Sequence, residues 1–584
     1  MGQFRSQCDH GCNIKQVQNE TIASTTEVPT TQHDPVLPQK GEAEEEKHSS
    51  MTIFFVLMVL ALCILLIHLV IQKKLRFLPE SVAVVSLGAF IGLLLQLMSS
   101  QNVGNWQKEE TFPPTTFFLV LLPPIIFESG YNLHKGNFFQ NIGSITVFAV
   151  FGTCVSAFVI GGGVYLLGVA DVAYKLSFTE SFAFGALISA VDPVATLAIF
   201  TALDVDPVLY MLAFGESVLN DAVAIVLTNT VLEISKPGFE SISSSQALLH
   251  GIGRFCLMFF ASAGIGVLFG LMSALLLKHV DLRKNPSLEL GMIFVFSYAP
   301  YGLAEGLHLS GIMAILLCGI VMSHYTHFNL SPITQLTVQQ TFRTMSFIAE
   351  TCVFAYLGMA IFSFKHMFKP SLVIWSVVLC LLGRALNIYP LAILLNYFRE
   401  HKITKKMMSI MWFSGLRGAI AYAIALHLEF EDETRHVLVT TTLFTVLFSI
   451  VIFGGSTIFL LKLLKVDQVS SKRRRRTHDK EISLSKTKEM GHAVDTEHLS
   501  ELTEEEYEVN FMKSNLKGFV KYDAKYFIPF FTRRFTQEEL REGKSQMSDL
   551  TNQWYQAIRV SPSESDGEVE LVQNFSLKNV SFPP

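Results

Sequence analysis

The chain has 584 residues and a net charge of −5; 50% of its residues are hydrophobic and only 16% are charged, against roughly 25% in soluble domains. This is membrane-protein composition, and the charge is too small and too dispersed for a nucleic-acid partner. It excludes an ordinary soluble enzyme and a basic nucleic-acid-binding domain alike.

Residues 1–50 are polar and end in GEAEEEKHSS. No short hydrophobic region with a cleavage site precedes them, so we expect no cleaved signal peptide. A sliding hydropathy window then picks out about thirteen predicted spans. They lie near 52–71, 80–99, 115–131, 144–168, 180–200, 207–231, 255–277, 287–306, 308–325, 342–364, 371–396, 404–427 and 437–463. The expected organisation is a polar non-cytoplasmic segment (1–50), a transmembrane domain (51–464) and a cytoplasmic regulatory tail of mixed charge, partly disordered (465–584). The fold class expected is all-α and polytopic.

Basic loops set the orientation. Lys73, Lys74 and Arg76 follow the first span, and Lys278, Arg283 and Lys284 follow the seventh. Arg399, Lys402, Lys405 and Lys406 follow the eleventh, and Lys472, Arg473, Arg474, Arg475 and Arg476 follow the last. All sit after odd-numbered spans, which makes those loops cytoplasmic; Lys365 and Lys369, after the tenth, run against the trend. An N-out, C-in chain needs an odd number of spans. The sequon at Asn19 then lies on the non-cytoplasmic side as a glycosylation site. Six of the eight cysteines lie in apolar runs as small core residues, and Cys8 and Cys12 form at most one local disulfide.

Two spans are interrupted. In the fifth, ISAVDPVAT, Pro193 removes a backbone donor and disfavours helix at Asp192. In the twelfth, FSGLRGAIA, Gly415 and Gly418 bracket Arg417. Seven spans apart, these two run in opposite directions, as matching elements of two inverted repeats joined by span seven do. Interrupted helices at matching places point to a transporter's ion site. Asp192 compensates freed amides at helix N-termini, and Arg417 freed carbonyls at helix C-termini.

Span six contains FGESVLNDAV. At about 100° per residue, Glu216, Asn220, Ser217 and Asp221 fall near 0°, 40°, 100° and 140°, on one face. Polar glue between helices explains Ser217 and Asn220 adequately. It explains two carboxylates poorly, because each costs roughly 2.5–3.5 kcal/mol in a bilayer core. Glu216 finds a partner in Arg384, the only basic residue of span eleven, and we expect a structural ion pair. Asp221 has no such partner. A carboxylate shut away from water holds its proton more tightly, while its ionised form offers oxygen to a hard cation. Asn220, Asp192, Ser217 and freed span-five carbonyls complete the expected shell for Na+ or K+ at Asp221. Proton and cation exclude one another there, which is the minimum device for exchange. A proton- or cation-conducting channel is the alternative built on the same acids.

At these residues the chain resembles the monovalent cation/proton antiporters of the sodium/hydrogen exchanger family. The resemblance rests on LLPPIIFESGY, AVDPVA, FGESVLNDAV, LSGIMA, LGRALN and GLRGAIA, and it extends from the first span into the tail. It implies that Asn220 and Asp221 are the ion-carrying pair, with Asp221 binding ion and proton. It also implies electroneutral exchange of Na+ or K+ for H+, and a transport bundle moving against a dimerisation domain in a homodimer. No cofactor is implied, and the setting is Golgi or endosomal membrane with cycling to the apical plasma membrane. Val191 stands where many bacterial relatives have threonine, which removes one hydroxyl ligand. Phe127-Glu128 stand where plasma-membrane members carry Leu-Asp, so inhibitor sensitivity does not transfer.

Glu128, Glu305 and Glu350 are candidate secondary acids for proton sensing, against a plainer reading as interfacial or paired structural acids. The Lys472–Arg476 cluster is a candidate contact for anionic lipid, and positive-inside topology explains it equally. NLKGFVKYDAKYFIPFFTRRF, residues 515–535, mixes aromatic and basic residues and is a candidate membrane-surface or regulatory-protein segment. No nucleotide-binding fingerprint and no metal-like histidine spacing occurs.

Overall fold

The computed structural model describes residues 43–73, 79–100, 114–133, 135–192, 200, 207–234, 244–399, 402–456 and 522–533, and all the elements in them are helical. Helix occurs within every predicted span. The helices are α1 (Ala43–Gln72), α2 (Glu80–Ser100), α3 (Phe117–Tyr131) and α4 (135–169, through a π-turn at Val147–Gly152). Next come α5 (Phe178–Ile188), α6 (Pro207–Ile234), α7 (Ser244–His279) and α8 (Pro286–Gly306). Then follow α9 (Gly311–Val321, run on by a π-turn Met322–Thr326), α10 (Pro332–Ser363) and α11 (Pro370–Leu395). The series closes with α12 (Lys405–Phe413), α13 (Ala419–Leu426) and α14 (Asp432–Gly454). Among the described residues, 9 helices are long and apolar enough to cross a membrane, and α3 and α5 are shorter apolar helices.

Starts and stops follow local chemistry. Proline opens α8, α10 and α11 at a position whose amide needs no partner. Ser177 and Glu180 form a reciprocal capping box at α5. Ser310, Ser331 and Thr404 cap α9, α10 and α12 by accepting from the amide three residues on. Prolines inside helices leave carbonyls one turn back unbonded, and in α3 and α8 the fold fills them. Pro123 and Pro124 interrupt α3, where the Tyr298 and Tyr301 hydroxyls of α8 donate to the Leu119 and Phe118 carbonyls. Pro300 in α8 frees the Phe296 carbonyl, which accepts from Cys318 Sγ at 3.5 Å.

The helices pack in two groups. One contains α2, α3, α7, α8, α9 and α10; α2 lies along α10, and α9 touches α3, α7 and α8. There Gly88 and Gly358 bring backbones together, since a Cβ on either would strike the opposing main chain. The other group contains α4, α5, α6, α11, α12, α13 and α14. α6 lies between them, touching α4 and α5 on one side and α3, α7 and α9 on the other.

Candidate functional site

The expected interruptions are where the second group is knit together. α5 stops at Ile188, and the chain runs on without helix from Ser189 to Asp192; α12 stops at Phe413, and helix resumes only at Ala419. The two unwound stretches meet. The Asp192 amide donates to the Leu416 carbonyl at 2.8 Å. Arg417, 3% exposed, donates from Nη1 to the Ser189 and Ala190 carbonyls at 2.8 and 3.4 Å, and from Nη2 to the Cys380 carbonyl at 3.4 Å. A fixed positive charge thus sits on the carbonyl end of α5, where helix dipole and unpaired oxygens favour it. Ser449 of α14 holds the arginine's own backbone, accepting from its amide and donating to its carbonyl. A side chain at Gly418 would run into Asp192, and one at Gly415 into the Arg384 guanidinium. Both glycines are there for room.

Helix α6 brings its polar face to this crossing. Glu216, Ser217, Asn220 and Asp221 are all buried. Ser217 Oγ donates to the Val191 carbonyl, and the Val191 amide meets the Asp221 carboxylate. One unwound residue therefore engages two members of the α6 face. Asp192, half-buried, is near enough to Asp221 for the two charges to interact. Asn220 Oδ1 is buried and, among the described residues, accepts no hydrogen bond, an expense of about 1–3 kcal/mol unless something else uses that oxygen. Asp221 carboxylate, Asn220 Oδ1, Ser217 Oγ and the Val191 carbonyl are hard oxygen donors of the kind that an alkali cation takes.

Glu216 is bound differently. Arg384 grips it with both terminal nitrogens, Nη1 to Oε1 and Nη2 to Oε2, the latter at 2.7 Å, and Nη2 also donates to the Met411 carbonyl at 3.0 Å. Glu216 is 0% and Arg384 2% exposed. Among the described residues no ion pair involves Asp221.

The secondary acids stand apart from this cluster in their bonding. Glu128 accepts from Asn132 Nδ2 at 3.0 Å, Glu305 from the Gly311 amide at 2.9 Å and Glu350 from Ser346 Oγ at 3.3 Å. Glu305 is exposed and steadies the start of α9. Asn19, Pro193 and Lys472–Arg476 lie outside the described residues.

Sequence reasoning missed Glu289 of α8, which is 1% exposed. Its carboxylate accepts from the Ser331 amide, Ser331 Oγ and Thr334 Oγ1 at 3.0, 2.7 and 2.6 Å, a second cap for α10. It also missed Ser449, for which there was no signal; the Val191 carbonyl is one of the freed span-five carbonyls that were expected. For Glu289 the signal was present, an acid in the first turn of an apolar helix.

Comparison with known proteins gives concordant results. The family model described as sodium/hydrogen exchanger, transmembrane, matches residues 57–463. Sodium/hydrogen exchanger 8 of Homo sapiens is 59% identical over 575 residues, covering 97% of this chain and 98% of that one. Sodium/hydrogen exchanger 9 of Rattus norvegicus is 43% identical over 375 residues, covering 63% and 58%. Among solved structures, the sodium proton antiporter MjNhaP1 from Methanocaldococcus jannaschii matches with a TM-score of 0.52 at 17% identity, over 71% of this chain and 99% of its own. At that identity the likeness is one of fold.

Proposed function

The chain belongs to the sodium/hydrogen exchanger family, and from that premise we propose that it exchanges one Na+ or K+ for one H+ at Asp221 as a secondary active antiporter. The observation that carries the site assignment is the contrast between the two acids of α6. Glu216 is neutralised by Arg384, and among the described residues Asp221 has no ion pair and lies next to the unsatisfied Asn220 Oδ1.

The chemistry follows from charge. An ionised carboxylate without water is costly to move, and a proton or an alkali cation each cancels it. Both loaded forms carry the same net charge, and the empty form is disfavoured, so the two cargoes alternate without net charge movement. Asn220 Oδ1, Ser217 Oγ, Asp192 and the Val191 carbonyl replace part of the cation's hydration shell. Arg417 and Asp192 balance the ends of the interrupted helices, and Gly415 and Gly418 leave them space. Glu216 and Arg384 hold α6 to α11 and take no cargo.

Alternating access in this reading is movement of the site-bearing group, α4–α6 with α11–α14, against α2, α3 and α7–α10, which form the dimerisation domain of a homodimer. All the predicted spans cross the bilayer, with Asn19 glycosylated on the non-cytoplasmic side and Lys472–Arg476 beside anionic lipid. The tail is the docking place for a regulatory protein. The resemblance favours Golgi and endosomal membranes, with cycling to the apical surface and control of luminal or cytoplasmic pH as the role.

The test is Asp221→Asn in proteoliposomes, with internal pH recorded at zero membrane potential after external Na+ or K+ is added. Exchange is expected to vanish while the protein stays monodisperse and dimeric. Exchange at the unsubstituted rate refutes the assignment, and a steady ionic current through the unsubstituted protein makes it a channel instead.

A further inference from the structure

Residues 522–533 belong to the tail by sequence, yet they are bolted to the membrane domain. They form a π-turn, Asp523–Phe527, and a short helix, α15 (Ile528–Phe531). Asp523 accepts from the Tyr325 hydroxyl at 2.5 Å and from His324 Nε2 at 2.7 Å, on the π-turn that extends α9. Phe531 is 8% exposed and packs on Tyr325 and Ala274. Lys278, in the last turn of α7, donates to the Pro529 and Phe530 carbonyls at 3.0 and 2.6 Å, which satisfies the open end of α15. Asn329 donates to the Phe531 carbonyl and accepts from the Arg533 amide.

With one face held this way, the other is displayed. Tyr522, Tyr526 and Phe530, spaced by four, are 63%, 56% and 59% exposed, and Lys525 beside them is also exposed. Holding aromatic rings toward water costs free energy, so a partner for this stripe is expected. The stripe lies at the end of α7, whose flank exposes Phe260 and Leu268 as a lipid-facing helix does.

We propose that Tyr522–Arg533 is an interfacial anchor whose outer stripe seats in the headgroup region of an anionic bilayer. Tyrosine and phenylalanine with a basic rim suit that boundary, where ring bodies meet acyl chains and hydroxyls meet water. Lys525, Lys278 and Arg533 supply charge complementary to anionic lipid, while Arg283 nearby is paired with Asp281 at 2.9 Å. Among the described residues, the anchor is bonded to Lys278 of α7, to His324 and Tyr325 on the π-turn after α9, and to Asn329. That fixes the depth of the group containing α7 and α9. The proposal needs the chain to span a membrane and does not need Asp221 to carry the cargo.

The experiment reads contact, not transport, so its failure is distinct from failure of the exchange assignment. Tyr526→benzoylphenylalanine and Phe530→benzoylphenylalanine variants of the full chain are reconstituted in vesicles of equal parts phosphatidylserine and phosphatidylcholine, irradiated, and their adducts identified by mass spectrometry. Lipid adducts at both positions are expected. Adding Lys525→Gln should lower their yield about fivefold in these vesicles, the factor set by one interfacial charge, and leave it unchanged in pure phosphatidylcholine. Adducts to a second copy of the chain, or none to lipid, overturn the proposal. Should these variants aggregate, Tyr526→Trp with quenching by brominated lipid reads the same contact, and an unquenched tryptophan overturns it equally.

Discussion

Removing Arg384 is the sharpest test of the division of labour on α6. In Arg384→Ala the Glu216 carboxylate, 0% exposed, loses both guanidinium bonds, and the Met411 carbonyl loses its donor. Stripping one partner from a buried pair costs about 3–5 kcal/mol, because the remaining charge is left without water or counterion. At about 2 °C per kcal/mol, the conversion for large domains, the apparent melting temperature falls by about 6–10 °C. Fluorescence-detected size exclusion after a heat step measures it. Glu216→Leu combined with Arg384→Met replaces the pair by apolar groups of similar reach and should recover most of the loss. The reasoning fails if Arg384→Ala melts like the parent while its apparent cation affinity drops. Glu216 would then belong to the ion.

Gly418→Ala places a methyl against Asp192; the overpacking costs about 1–3 kcal/mol and slows exchange by on the order of tenfold. Unchanged exchange in that variant would mean that the crossing is looser than it stands here. Arg417→Lys keeps the charge but cannot bridge Ser189, Ala190 and Cys380 with one planar fork. Its apparent melting temperature should fall by an amount matching about 1.5–3 kcal/mol for each charged bond lost. Glu289→Ala removes the acceptor of the Ser331 amide and the Thr334 hydroxyl at about 1–3 kcal/mol, so thermal stability falls while the exchange KM for Na+ holds. A changed KM with unchanged stability would contradict its role as a cap.

Much of this was legible because a bilayer permits so few arrangements. Long apolar runs read as helices, and α1, α2 and α4 lie where hydropathy put them. Pairing Glu216 with Arg384 required only that two opposite charges in apolar sequence find each other. The interruption at Gly415–Gly418 was legible from glycines flanking an arginine. That the Asp192 amide meets the Leu416 carbonyl was not, since no side chain records a backbone bond between distant segments. Glu289 escaped because Ser331 lies 42 residues further on, and the Asp523 contacts escaped because His324 is 199 residues away. Glu305 is the reverse case. Its partner Gly311 is only 6 residues away, close enough for a local helix-start pattern to have suggested it.

The main-chain bond between Asp192 and Leu416, together with the Arg417 fork on Ser189 and Ala190, has a mechanical corollary. Two interrupted helices stitched backbone to backbone cannot be separated by a change of rotamer, so in the proposed alternating access they would travel as a single cassette. In that movement the sliding is taken up along the surfaces between the groups, where α6 touches α3, α7 and α9, α10 touches α13, and α2 touches the end of α14, as at a gasket. A covalent staple from α5 to α13 would then be tolerated, whereas one from α6 to α9 would jam the machine.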